Sequence, residues 1–111
     1  MISITLSTAD VYGRIRLDVE GHAQQAEHGQ DIVCSAVSIL TYTAAQIVKN
    51  MIDRGWCIGT PTVELESGNA HIEATVSMFH YDEASAMMEV IKTGYTLLQH
   101  NYPQYVRLIE P

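Results

Sequence analysis

Positive charge is scarce in this chain. Six lysines and arginines face thirteen aspartates and glutamates over 111 residues, for a net charge of -7 with histidine neutral. That deficit weighs against direct, sequence-independent nucleic-acid binding, which needs a basic surface to displace counterions. It suits a basic protein as partner or substrate, since opposite fields speed encounter. Acidic charge is also ordinary among cytoplasmic proteins. Cysteine is scarce too: Cys34 and Cys57 are the only two, too few for a disulfide framework. No Cys-X-X-Cys pair is present, so disulfide exchange would need a partner thiol. The two flank a long helical segment, which argues against a bridge between them. No apolar run approaches the roughly 18–20 residues that span a bilayer. The N-terminus, Met1-Ile2-Ser3-Ile4-Thr5-Leu6, alternates where a signal peptide would turn from basic to apolar. A reduced, cytoplasmic protein without membrane contact is the expectation. Repeats, low-complexity tracts and internal linkers are lacking. A hydrophobic share of 47% with 17% charged residues argues against disorder. Residues 1–111 read as a single domain with a modest core.

What is present is periodicity. Ile2, Ile4 and Leu6 alternate with Ser3, Thr5 and Ser7, and Ile15, Leu17 and Val19 alternate with Arg14, Arg16, Asp18 and Glu20. Both runs have the period of half-buried strands. Asp10 and Gly13 supply turn chemistry between them, so they pair as a hairpin. From Gly21 to Gln30 the pattern stops, and the stretch reads as a loop. Helical spacing follows, with Val33, Val37, Leu40, Ala44, Ile47, Val48 and Met51 on one stripe. Asp31 is placed to cap this helix and Gly55 to stop it. Thr62 to Glu66 and Ala70 to Met78 are strand-like around a Ser67-Gly68-Asn69 turn, with Ile72, Ala74, Val76 and Met78 on one face. A second helix opens near Asp82, buries Ala84, Met87, Met88, Ile91, Tyr95 and Leu98, and ends at Tyr102-Pro103. Tyr105 to Ile109 forms a last strand. The order strand-strand-helix-strand-strand-helix-strand predicts an α/β or α+β layer fold: a mixed sheet with two main helices.

The chemistry gathers around the loop. With Asp31 as the cap, Cys34 takes the third helical position, where free N–H groups and the positive helix end favour thiolate. The plain alternative is a small buried hydrophobe. His22 lies twelve positions earlier, a separation a loop closes easily, and would complete a nucleophile and base pair; otherwise it is a solvated or capping residue. Gly21 and Gly29 can serve as loop hinges. Asp31 either caps the helix or orients His22. Ser35 and Ser38 can line the site, although serines at a helix start are usually structural. His28 is a weaker candidate base. None of His71, His80, His100 and the two cysteines shows the short paired spacing of a zinc site, and Gly21 to Gly29 lacks the Gly-Lys-Ser or Gly-Lys-Thr of a phosphate loop. No metal and no cofactor are expected.

Gly21-His22-Ala23, five residues, then Gly29-Gln30-Asp31-Ile32-Val33-Cys34, followed by Ala36-Val37-Ser38, resembles the ribosomal-processing cysteine protease Prp family. Ser35 stands where alanine is common in that family, and the second half of the chain matches only in pattern and length. The resemblance implies a cysteine endopeptidase with His22 as general base and Cys34 as nucleophile. It implies removal of an N-terminal extension from the precursor of the large-subunit ribosomal protein numbered twenty-seven, through a thioester acyl-enzyme. It also implies a homodimer and a Gly–His loop that orders around substrate. Two other readings compete. One is a non-catalytic acidic dimeric module that binds a ribosomal protein or assembly factor; the other is a thiol enzyme of redox or acyl-transfer type.

Overall fold

Alternating strands and two amphipathic helices assemble into two layers. The computed structural model describes residues 1–8, 10–21 and 30–109. Its elements are β1 (Ile2–Ser7), β2 (Arg14–Glu20), α1 (Gln30–Asp53), β3 (Cys57–Glu66), β4 (Asn69–Val76), a single 3-10 turn (Met78–His80), α2 (Tyr81–Asn101) and β5 (Val106–Ile109). The strands form one mixed sheet in the order β3-β4-β2-β1-β5. Among the described residues, only β1 and β5 run parallel; the other neighbours are antiparallel. The expected mixed sheet with two main helices is therefore found.

Period two explains how the sheet is layered. Ile2, Ile4 and Leu6 of β1, Ile15, Leu17 and Val19 of β2, and Ala70, Ile72, Ala74 and Val76 of β4 are all buried on one face. Val33, Val37, Ala44, Val48 and Met51 of α1, with Ala84, Met88, Ile91 and Tyr95 of α2, close that face into one apolar cluster. The opposite face carries Arg14, Arg16, Asp18, Glu20, His71 and Glu73 and stays open to solvent. Where the helices meet, Gly94 admits Leu40: a Cβ there would sit 2.7 Å from Leu40 Cδ2. Beside this contact, Thr41 Oγ1 donates to Val37 O at 2.7 Å and lies 2.8 Å from the Tyr95 hydroxyl. Burial pushes Tyr95 up to about 12 against the opposing effect of its Thr41 hydrogen bond, so the phenol stays protonated and can donate to Thr41.

The turns follow local chemistry. Asp10 Oδ1 accepts from the N–H groups of Tyr12 at 2.8 Å and Arg14 at 3.0 Å, closing the first hairpin. α1 ends in a Schellman motif: Gly55 N–H donates to Ile52 O and Trp56 N–H to Met51 O, both at 3.0 Å, with Gly55 at φ +75°.

Four expectations need correction. α1 begins at Gln30, so Asp31 lies inside its first turn and not ahead of it. β3 starts at Cys57, five residues before Thr62, because a register irregularity between Ile58 and Thr62 hides its alternation. Met78 is not on the buried face; β4 ends at Val76 and Met78 is 72% exposed. Lastly, Ile32–Asp53 of α1 is long and apolar enough to cross a membrane, with a mean hydropathy of 1.5. Alanine, serine and threonine interrupt its large apolar side chains but add no charge. In this fold its apolar stripe packs against the sheet.

Candidate functional site

The first half of α1 and one end of the sheet enclose a cleft of about 320 Å³. Cys34, Val37, Ser38, Thr41 and Tyr42 form its helix wall, following the three- and four-residue spacing of one helix ridge. Ile2, Val19 and Gly21 contribute from β1 and the end of β2, and residues 65–70 from the β3–β4 hairpin tip. The turn at this tip is tied to the entry of the loop: Gly21 N–H donates to Gly68 O at 3.0 Å. Gly21 has φ +108°, and a Cβ on it would lie 2.2 Å from Met1 O. Glycine is required there by both backbone conformation and close approach.

Cys34 is half-buried: it lines the cleft and also packs against the edge of the apolar core. It is the fifth residue of α1, two positions later than the capped helix predicted. The Cα–Cβ bonds of a helix tilt toward its N-terminus, so the side chain leans back over the first turn. The N–H groups of a helix's first turn have no partner within the helix itself.

Among the predicted site residues, the fold brings Cys34 and Gly21 to one cleft. His22, His28 and Gly29 lie outside the described residues. Asp31 is placed by its backbone alone, in the first turn of α1. Ser38 lines the cleft; Ser35 is exposed and does not. Cys57 sits at the opposite end of β3 from the cleft, and burial pushes its thiol up. His80 stacks on Trp56, with centroids 4.3 Å apart and planes 4° from parallel. No cluster of three or more metal-ligating side chains occurs among the described residues. Sequence reasoning missed the hairpin tip, which reaches the cleft only through tertiary pairing, and Thr41, a lone polar residue on the apolar stripe.

His71 belongs to a charged network on the open sheet face, away from the cleft. Its Nδ1 lies 2.5 Å from Asp18 Oδ1 and its Nε2 3.3 Å from Glu73 Oε2. Arg16 Nε donates to Asp18 Oδ2 at 2.8 Å, and Arg14 pairs with Glu73. The Asp18 hydrogen bond, opposed by desolvation and aided by Glu73, holds His71 above its ordinary 6.5. Burial pushes Asp18 up, but hydrogen bonds from His71 and Arg16 outweigh it and hold the carboxyl below 3.8. The stabilisation from His71 is complete below 6.5 and is lost as pH rises through its raised folded value. That from Asp18 is complete above 3.8 and is lost as pH falls through its lowered folded value. Asp18→Asn should therefore cost more stability at pH ~5.5 than at pH ~9, by about 1 kcal/mol for a solvent-screened network. Equal losses at both pH values in thermal melts would remove His71 from the account.

Comparisons with known proteins fit the architecture. The family model described as cysteine protease Prp matches residues 1–107. The ribosomal processing cysteine protease Prp of Staphylococcus aureus is 19% identical over 108 residues, 97% of each chain. That of Bacillus subtilis is 38% identical over 48 residues, 43% of each chain. The crystal structure of the S. aureus protease with a substrate peptide superposes at a TM-score of 0.67, with 21% identity over 100% of both chains. SMU.848 from Streptococcus mutans also gives 0.67, with 24% identity over 99% of this chain and 93% of its own. At these identities the structural likeness speaks for the fold.

Proposed function

This chain belongs to the cysteine protease Prp family, and we propose that it is a peptidase whose nucleophile is Cys34 and whose general base is His22. The observation that carries the assignment is Cys34 half-buried in a cleft wall, where a thiol meets solvent and substrate but remains held by the helix. His22 follows Gly21 by one peptide bond, and Gly21 lines the same cleft. His22 takes the thiol proton as Cys34 attacks the scissile carbonyl, and the N-terminal fragment becomes a thioester. His22 then protonates the leaving amine and activates the water that releases the fragment. N–H groups of the first turn of α1 are the candidate donors to the oxyanion. Asp31 supports that turn by favouring its positive end, and Gly29 serves as the second hinge of the loop.

The substrate proposed is the precursor of the large-subunit ribosomal protein numbered twenty-seven, cut to remove its N-terminal extension in the cytoplasm. Ribosomal processing in the names of the relatives supports this reading, and a net charge of -7 favours a basic protein over nucleic acid as partner. No cofactor enters the mechanism. The homodimer proposed would cover exposed apolar surface on α1, where Ile32 is 62% and Ile39 63% exposed. The experiment is incubation of the protein with a peptide spanning that extension, read by mass spectrometry. One internal cut is expected. No cut in either the peptide or the full precursor, by a folded protein, would favour a non-catalytic binding module.

A further inference from the structure

β3 is an edge of the sheet, and its last two residues, Leu65 and Glu66, enter the cleft wall. The hydrogen bonds of β4 fix which β3 groups are free. Val76 N–H donates to Gly13 O on the β2 side at 2.8 Å, and Ser77 N–H donates to Trp56 O on the β3 side at 2.7 Å. Strand alternation then turns Asn69, His71 and Glu73 toward β3, where they pair with Glu66, Glu64 and Thr62. Val63 and Leu65 are left with N–H and C=O groups pointing out of the sheet, and no hydrogen-bond partner reaches them among the described residues. Other parts of the two edges are blunted. The irregularity between Ile58 and Thr62 contains Pro61, and at the far edge Gln99 Oε1 accepts from Leu108 N–H at 2.6 Å. Among the described residues, the open, regular stretch is 62–66, and it runs directly into the cleft.

We propose that an extended segment of the substrate adds to β3 as a further strand, pairing with Val63 and Leu65 and delivering the scissile bond to Cys34. This rests on the protease reading above. Five residues of strand span about 17 Å, so about four or five substrate residues are held. Main-chain pairing selects extended conformation, and alternate side chains carry the selectivity. On one face of the added strand they meet Glu64 and Glu66, both exposed, which favours lysine or arginine at every second position. On the other face they follow Val63 and Leu65, which pack against the core, and this favours apolar residues between the basic ones.

The test uses the extension peptide and Val63→Pro. Proline there removes an outward N–H and spares the β4 ladder. KM should rise about tenfold, with kcat little changed. Because the variant can fail to fold, the wild-type protein is also assayed with peptides N-methylated at one residue at a time. KM should rise at every second position. A uniform response along the peptide, or a folded Val63→Pro with unchanged KM, overturns strand addition while leaving the protease reading intact. A Val63→Pro that changes only sedimentation assigns the edge to a second copy of this chain and also overturns it. If wild type fails to cut any peptide or precursor, the protease reading itself has failed.

Discussion

Cys34→Ser should leave a folded protein whose kcat/KM for the extension peptide is lower by on the order of 10⁴-fold. Serine is close in size, and Cys34 is only half-buried, so little packing is lost and the melt should stay near wild type. A hydroxyl in the same place lacks the acidity and nucleophilicity on which thioester formation depends. His22→Ala should lower the rate by on the order of 10³-fold, the scale of a lost general base. The double variant should be little worse than Cys34→Ser, because the proposed dyad acts as one unit. Cys57→Ser is the matched control: Cys57 opens β3 at the end away from the cleft, and its loss should not change the rate. Mass spectrometry of timed digests reads all four proteins. A folded Cys34→Ser that keeps more than about a tenth of the rate would refute the nucleophile assignment.

Much of this arrangement was legible because it is local. Alternation placed β1 and β2, and a shared face of Val33, Val37, Ala44, Val48 and Met51 placed α1. Turn chemistry at Asp10, Gly13, Gly55 and Gly68 was equally local, since each glycine adopts a positive φ where a turn or helix end requires one. Pairing order was not legible. Nothing in a period of two says that β4 lies between β3 and β2, or that β5 returns parallel to β1. The first half of β3 was missed because Gly59 and Pro61 interrupt the alternation around an irregular register. For the candidate site, the local signal pointed to Cys34 and Gly21, which line one cleft, but half of the wall around them is non-local. The hairpin tip reaches the cleft through the β2–β4 register, which sets Glu20 opposite Asn69. Thr41 is tied to Tyr95 across 54 positions of sequence, so neither hydroxyl predicts the other by spacing.

Gly21→Ala should damage stability and activity together. At φ +108° an added Cβ would sit 2.2 Å from Met1 O, 3.2 Å from Met1 C and 3.4 Å from Ile2 Cα. All three are backbone atoms, so no side chain can swing aside. Either the start of β1 must move, or Gly21 must leave its hydrogen bond to Gly68 O and release the hairpin tip. Ile2 and residues 65–70 are both walls of the cleft, so each escape deforms it. The expected loss is about 3 kcal/mol, combining a disfavoured backbone conformation with a steric displacement. That corresponds to a fall in melting temperature on the order of 10 °C. Gly55→Ala isolates the first contribution: its φ is +75° but no described residue lies within 4 Å of the added carbon, so about 1 kcal/mol is expected. Denaturant melts of the two variants, with kcat/KM on the extension peptide, make the comparison. If Gly21 acted only as a hinge for the loop, Gly21→Ala would lose activity with its melt unchanged. A melt displaced well beyond that of Gly55→Ala identifies Gly21 instead as the point where β1, the loop entry and the hairpin tip are packed backbone to backbone beside the cleft that holds Cys34.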